Sequence, residues 1–337
     1  MIDSPTLSGE GERRRAMNEG QAARVVDDLA ELIGTGPYAV TIGRFDGVHL
    51  GHQHLIDQTI ASARRQGLRA LAITFEPHPE QIFRPDTPTQ RLTTPAMKTA
   101  LLAGSGVDAV AVLPFTPDFS RQTAEEFIAR LAATTALREL WIGADFALGY
   151  RRGGTPERLA ELGHEHGYTT HTMERIRLHG TEMISATNIR RHVVAGHVGL
   201  AAKLLGRPYA LVGTVVHGAK RGRTIGYPTA NLDHAAELVV PALGIYATVV
   251  DVPGVVTRHT AMTSIGVRPV FDNGERQVES HLLDWSGDLY DRPLTLHFLE
   301  WLRPEEHFPS VEALVEQMAR DGQATAEVVG KWSAGQR

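Results

Sequence analysis

The chain has 337 residues, 42% of them hydrophobic and 22% charged, which is ordinary globular usage and enough length for two domains. No apolar run approaches the ~20 residues that span a bilayer, and a formal net charge of -5 argues against a general nucleic-acid binder. The complete lack of cysteine excludes disulfides, thiolate metal sites and cysteine nucleophiles together. Residues 1–20 are polar and aperiodic and lack the apolar segment of a secretory signal. They are read as a disordered tail of a cytoplasmic protein with no nucleic-acid or membrane partner.

From residue 38 to about 175, short apolar runs alternate with amphipathic segments. The runs are "YAVTI" (38–42), "LRALAITF" (68–75), "VDAVAVLPF" (107–115), "ELWIG" (139–143) and "YTTHTM" (168–173). Helical patterns at 51–65, 95–105 and 124–133 lie between them. This alternation predicts an α/β domain with a parallel sheet and ligands at the carboxyl ends of its strands. Directly after the first run stands "GRFDGVHLGHQHL" (43–55), a glycine-bearing turn that enters a helix. Backbone N–H groups and the positive end of a helix dipole form a phosphate cradle there. His49 and His52, three apart, fall on one side of the first helical turn, where two imidazoles can stabilise charge on a transferred phosphoryl group. Taken alone, the histidines are equally a metal site or a pair on a helix surface.

Residues 188–208 read as two short helices joining the halves, with a boundary near Leu205 to Pro208. Beyond it, five apolar runs between residues 209 and 302 are separated by turn residues, and a helix is predicted over 310–321. Successive strands followed by one helix predict an antiparallel β-barrel with a C-terminal helix. "GAKRGRTIGYPTANL" (218–232) places Gly218, Gly222 and Gly226 in a basic loop, then Thr229 and Asn231. Glycines permit close backbone approach to phosphates, and a threonine hydroxyl with an asparagine carbonyl can complete an oxygen shell around Mg²⁺. The same composition also fits a plain surface loop. Glu279 lies in a strand pattern among Val278, Leu282 and Leu283, where a carboxylate can accept a proton from an alcohol or simply face solvent.

"TIGRFDGVHLGH" (41–52) resembles the HxGH signature of the nucleotidyltransferase superfamily, in the form carried by prokaryotic bifunctional riboflavin kinase/FAD synthetases. "TFEPHP" (74–79), "GADFALGYRRGG" (143–154) and "ISATNIR" (184–190) follow in the family's order, and "GRTIGYPTANL", "SIGVRPVF", "VESHLLDW", "GDLYD" and "LRPEEHF" resemble the flavokinase half. The likeness spans roughly residues 36–325. It implies a Rossmann-like FMN adenylyltransferase domain over 21–187, a helical linker over 188–206 and a riboflavin kinase barrel over 207–328. By position it implies ATP binding by Gly43, Phe45, Asp46, Gly51, Ser185, Thr187, Arg190, Gly218, Gly222 and Gly226. Phe75, Pro77, Pro79, Asp145, Phe146 and Arg303 would contact flavin, Thr229 and Asn231 would hold Mg²⁺, and Glu279, His49 and His52 would be catalytic. Riboflavin, FMN, FAD and ATP are the implied ligands of a monomer or weak homo-oligomer. Arg44, Ala186, Ala147-Leu148, Ser264, Val270 and Asp291 depart from the family pattern. The departures keep two other readings in view: a kinase with a weakened adenylyltransferase half, and a non-catalytic flavin-binding regulator.

Overall fold

The structure is a computed structural model and describes residues 22–87, 89–178, 182–218, 226–267 and 276–335. The expected tail at 1–20 lies outside the described residues. Two compact units are present, Met1–Thr89 with Thr93–Ile184 and Gln90–Leu92 with Ser185–Arg337.

In the first unit, β1 (Arg24–Val26), β2 (Tyr38–Ile42), β3 (Arg69–Glu76), β4 (Ala109–Pro114), β5 (Leu137–Gly143) and β6 (Thr169–Met173) form one sheet in the order β1-β4-β3-β2-β5-β6. Every adjacent pair is parallel. β2 is buried at all five positions, as a parallel strand covered on both faces must be. Its alternate residues serve two cores. Tyr38, Val40 and Ile42 share one with Phe127 and Leu131 of α4 (Ala124–Thr135) and Leu159 of α5 (Pro156–His166). Ala39 belongs to the other, with Leu55 and Ile56 of α1 (Leu50–Gln66) and Leu102 of α3 (Pro95–Ala103). A short α2 (Pro79–Phe83) follows β3. The chain runs outward from β2 through β3 to β4 and then crosses back to β5. The order therefore reverses beside β2, the switch point at which such sheets bind ligands. Two short strands, β7 (Arg177–Leu178) and β8 (Glu182–Met183), pair antiparallel before the unit ends.

A buried carboxylate ties α1 to the sheet. Glu139 of β5, only 5% exposed, accepts hydrogen bonds from Ser62 Oγ (3.1 Å), Gln66 Nε2 and Trp141 Nε1 (2.9 Å), and lies 3.2 Å from His171 Nε2. Burial pushes this carboxyl up, but the Trp141, Ser62 and Gln66 donors and the His171 ring outweigh it and hold it below its ordinary value. A carboxyl lowered on folding contributes stability that is complete above its unfolded value of about 4.3 and is lost as pH falls through the lower folded value. Glu139→Gln is expected to cost about 1–3 kcal/mol at pH 7 by urea unfolding, with the difference from the parent shrinking below about pH 4. An unchanged midpoint at pH 7 would contradict this.

The second unit opens with α6 (Ala186–Val194) and α7 (Val198–Leu205), which pack on each other. The barrel follows: β9 (Tyr209–Val216), β10 (Ala230–His234), β11 (Gly244–Val252), β12 (Val256–Val267), β13 (Arg276–Leu282) and β14 (Pro293–Arg303), closed in the order β10-β13-β12-β11-β14-β9 with antiparallel pairing throughout. Closure removes free edges. Along β13, Val278, Ser280 and Leu282 are buried in the barrel, so Gln277, Glu279 and His281 project from its other face. The C-terminal helix α8 (Val311–Ala334) lies on β11, β12 and β14. It runs past the expected end at 321 because Asp321, Thr325 and Val329 continue one buried stripe at four-residue spacing.

Candidate functional site

The turn after β2 is built tightly. Asp46 is 5% exposed, and its Oδ1 accepts hydrogen bonds from Thr93 N (3.2 Å) and Thr93 Oγ1 (3.4 Å), while Gly47 N donates to the same hydroxyl (3.1 Å). Phe45 (φ 50) and Val48 (φ 37) lie in the left-handed region, where a side chain costs roughly 1–2 kcal/mol. Strain of this kind collects at functional turns. His49 is the N-cap of α1, its Nδ1 accepting the His52 backbone N–H at 3.3 Å. The neutral ring must therefore carry its proton on Nε2. His52 stacks on His49 with centroids 3.6 Å apart and planes 15° from parallel, and Phe45 meets His52 edge-on at 5.1 Å. Gly43 precedes this turn, and Gly51 sits against the His49 ring. Among the described residues no group of three or more His, Asp or Glu side chains is placed to hold a metal ion.

The next strand supplies an apolar wall. Phe75, next to last in β3, packs on the first core, and Pro77 and Pro79 lead into α2. Phe83, Phe115, Phe119 and Phe127 extend the wall, with neighbouring centroids 5.5–5.9 Å apart, the range of edge-on aromatic contact. Lys98 of α3 is 1% exposed and anchors the strand end, its Nζ 2.6 Å from Glu76 Oε1 and 3.0 Å from Phe75 O. After β5, Phe146 also packs on the first core. The Arg175 guanidinium, bound to Asp145, holds that exposed carboxyl below its usual range. Arg44 points outward, 62% exposed, and pairs with Glu80 at 3.2 Å.

Ser185 is the N-cap of α6, its Oγ accepting Asn188 N–H at 3.2 Å. Arg190 Nη2 lies 3.4 Å from Thr187 Oγ1 one turn along. Ser185, Thr187 and Arg190 thus share one helix N-terminus in the second unit, with Ala186 as its first helical residue.

On the barrel, Thr229, Asn231 and Glu279 come together. Asn231 stands directly opposite Glu279 in the β10–β13 ladder. Thr229 Oγ1 donates to Glu279 Oε2 (3.1 Å), and Gln277 Nε2 donates to both Glu279 Oε1 (2.6 Å) and Asn231 Oδ1 (2.5 Å). A Cβ on Gly218 would lie 2.2–2.6 Å from the Asn231 amide, so only glycine lets the backbone pass there. Gly226 turns the chain at φ 85, while Gly222 and Val270 lie outside the described residues. His281 Nδ1 is 2.8 Å from Pro228 O, and its ring meets Tyr227 at 5.0 Å, bracing the stretch before Thr229. Arg303 forks onto Asp321 of α8 through Nε (2.9 Å) and Nη2 (2.7 Å). Ser264 faces Glu279 across β12 and β13 and reaches Glu305 at 3.4 Å. Asp291 holds φ 60, a left-handed conformation that glycine adopts without strain. Leu148, another departure, exchanges two backbone hydrogen bonds with Gly154 and packs on the first core.

Residues 34–188 match the family described as FAD synthetase, and residues 205–329 match that described as riboflavin kinase. A bifunctional riboflavin kinase/FMN adenylyltransferase of Pseudomonas fluorescens is 38% identical over 276 residues, covering 81% of this chain and 87% of its own. The protein of the same name from Escherichia coli strain K12 is 36% identical over 293 residues, covering 86% and 92%. A crystal structure described as a macrolide-efflux protein from Streptococcus pneumoniae superposes with a TM-score of 0.81 at 31% identity, covering 91% of this chain and 99% of that one. Among the described residues of the present chain, no helix is long and apolar enough to cross a membrane.

Proposed function

The chain belongs to the bifunctional riboflavin kinase/FMN adenylyltransferase family, and from that premise we propose how its residues divide the two reactions. The enzyme phosphorylates riboflavin to FMN with ATP, then adenylylates FMN to FAD with release of pyrophosphate. We assign the second step to residues 21–187 and the first to 207–328, with 188–206 between them.

In adenylylation, an FMN phosphate oxygen attacks the α-phosphorus of ATP and pyrophosphate leaves, with no covalent enzyme intermediate. His49 suits this step because its Nδ1 accepts the helix-cap hydrogen bond, which places the ring proton on Nε2, the nitrogen that can donate to charge building on the α-phosphate. His52, stacked on it, fixes the ring plane and adds a second imidazole. Gly43, Phe45, Asp46 and Gly51 shape the cradle, and Ser185, Thr187 and Arg190, at one helix N-terminus, offer hydroxyl and guanidinium donors suited to ATP phosphates. Phe75, Pro77, Pro79, Asp145 and Phe146 hold the flavin.

In phosphorylation, Glu279 takes the proton of the riboflavin primary hydroxyl as that oxygen attacks the γ-phosphorus. Gly218, Gly222 and Gly226 let the loop backbone approach the phosphates, and Arg303, braced by Asp321, helps close the flavin site. Thr229 Oγ1 and Asn231 Oδ1 would hold Mg²⁺, since both are oxygen donors, the chemistry that Mg²⁺ prefers. When bound, Mg²⁺ neutralises phosphate charge. One observation carries the assignment: the Thr229, Asn231 and Glu279 side chains join in a single hydrogen-bonded cluster on one barrel face. Retention of His49, His52, Arg190, Thr229, Asn231 and Glu279 favours two working sites over a weakened half or a binding protein, which has no use for groups that act only in a transition state. We further propose that the enzyme acts in the cytoplasm as a monomer or weak homo-oligomer, in keeping with its small-molecule substrates. Incubation with riboflavin and ATP should yield FMN and FAD by chromatography, chelation with EDTA should stop both, and added Mg²⁺ should restore both. Undiminished turnover in EDTA would overturn the Mg²⁺ assignment.

A further inference from the structure

The Gln277 side chain lies where the oxygen donors of the phosphorylation site converge. Gln277 and Glu279 are two apart on β13 and share one face, and Asn231 faces Glu279 across the ladder. Two interactions of Gln277 Nε2, at 2.5 Å to Asn231 Oδ1 and 2.6 Å to Glu279 Oε1, are shorter than the usual ~2.9–3.0 Å for an N–H donor on oxygen. The amide nitrogen thus bridges two acceptors and brings its partial positive charge to the point where they meet.

We propose that the Gln277 amide is an internal stand-in for the divalent cation, and that its displacement sets how much cation the barrel requires. The proposal rests on Thr229 and Asn231 being cation ligands. A hard cation sits ~2.1 Å from each oxygen it binds, so a cation on Asn231 Oδ1 and an N–H donor pressed against the same oxygen repel one another. Cation entry therefore rotates the Gln277 amide away from Asn231, and the lost hydrogen bond subtracts from the binding free energy. Thr229 does not compete in this way. Its O–H already points to Glu279 Oε2, and its lone pairs stay available. Gln277 is in these terms a positioning residue: it keeps Asn231 and Glu279 together in the cation-free enzyme and withdraws when the site loads.

The test uses the full chain with ADP and Mn²⁺, free and bound Mn²⁺ being read by electron paramagnetic resonance. The Mn²⁺ site that disappears in Asn231→Ala or Thr229→Ala is the barrel site, which separates it from any cation bound in the adenylyltransferase half. In Gln277→Met, which keeps the length of the side chain and removes the donor, that site should bind Mn²⁺ about three- to tenfold more tightly than in the parent, the weight of one ordinary internal hydrogen bond. Gln277→Ala should shift it in the same direction, so the comparison does not depend on one variant folding well. A dissociation constant unchanged or weaker in both variants would overturn the proposal. If no Mn²⁺ site is lost in Asn231→Ala or Thr229→Ala, the cation assignment itself falls, and the role of Gln277 falls with it.

Discussion

Glu279→Gln is expected to reduce riboflavin phosphorylation by about 100- to 10,000-fold, the usual consequence of removing a general base, while FAD formation from supplied FMN stays within about twofold. The geometry supports an effect confined to one step. Glu279 is held from both sides, by Thr229 O–H on Oε2 and by Gln277 N–H on Oε1, so its position does not depend on substrate. An amide in its place keeps the shape but cannot take a proton, and it opposes one of the two donors with a donor of its own. The loss should appear in kcat with little change in KM for riboflavin, because the base acts in the transition state. Phosphorylation within tenfold of the parent would remove Glu279 from the role.

The second large effect lies in the other unit. A pair of substitutions separates the N-cap that His49 forms from the donor role proposed for it. His49→Asn preserves the N-cap of α1, because asparagine caps as well as any residue, yet removes the Nε2–H donor. FAD synthesis should fall by about 100- to 1,000-fold, as for loss of one oxyanion donor, with melting temperature and riboflavin phosphorylation little changed. His49→Ala should lose the same activity and also about 1 kcal/mol of stability from the missing cap. If His49→Asn keeps FAD synthesis within tenfold of the parent, the histidine is a helix cap and no more.

Much of this site was legible because its residues sit in short contiguous patterns. The turn 43–52 and the stretch 226–231 each carry several of the proposed site residues, and the apolar runs that became β2 to β6 are long enough for burial to dominate their composition. What escaped was short or came from separate elements. β1 has three residues, too few for any periodicity, and β10 begins inside the end of the loop motif that drew attention to Thr229 and Asn231. Phe83, Phe115 and Phe119 meet only through the fold. Lys98, in an amphipathic helix, resembles a solvent-facing lysine until its 1% exposure and its contact with Glu76 are seen. Gln277 and His281 were within reach, since two-residue spacing puts them on the face of Glu279, but neither residue type signals chemistry by itself. Arg44 stands in the same turn, and its side chain faces solvent and pairs with Glu80.

Phosphorylation and adenylylation are proposed to use separate residue sets, Glu279 with Thr229 and Asn231 for one, His49 and His52 for the other. Mixing two blocked enzymes tests this most directly. With riboflavin, ATP and Mg²⁺, Glu279→Gln alone should leave riboflavin unconverted, and His49→Asn alone should stop at FMN. The two together should make FAD at a rate approaching that of the parent, because FMN released by one is taken up by the other. A mixture that still fails to make FAD, with each variant folded and each supplied with its own substrate, would contradict the separation.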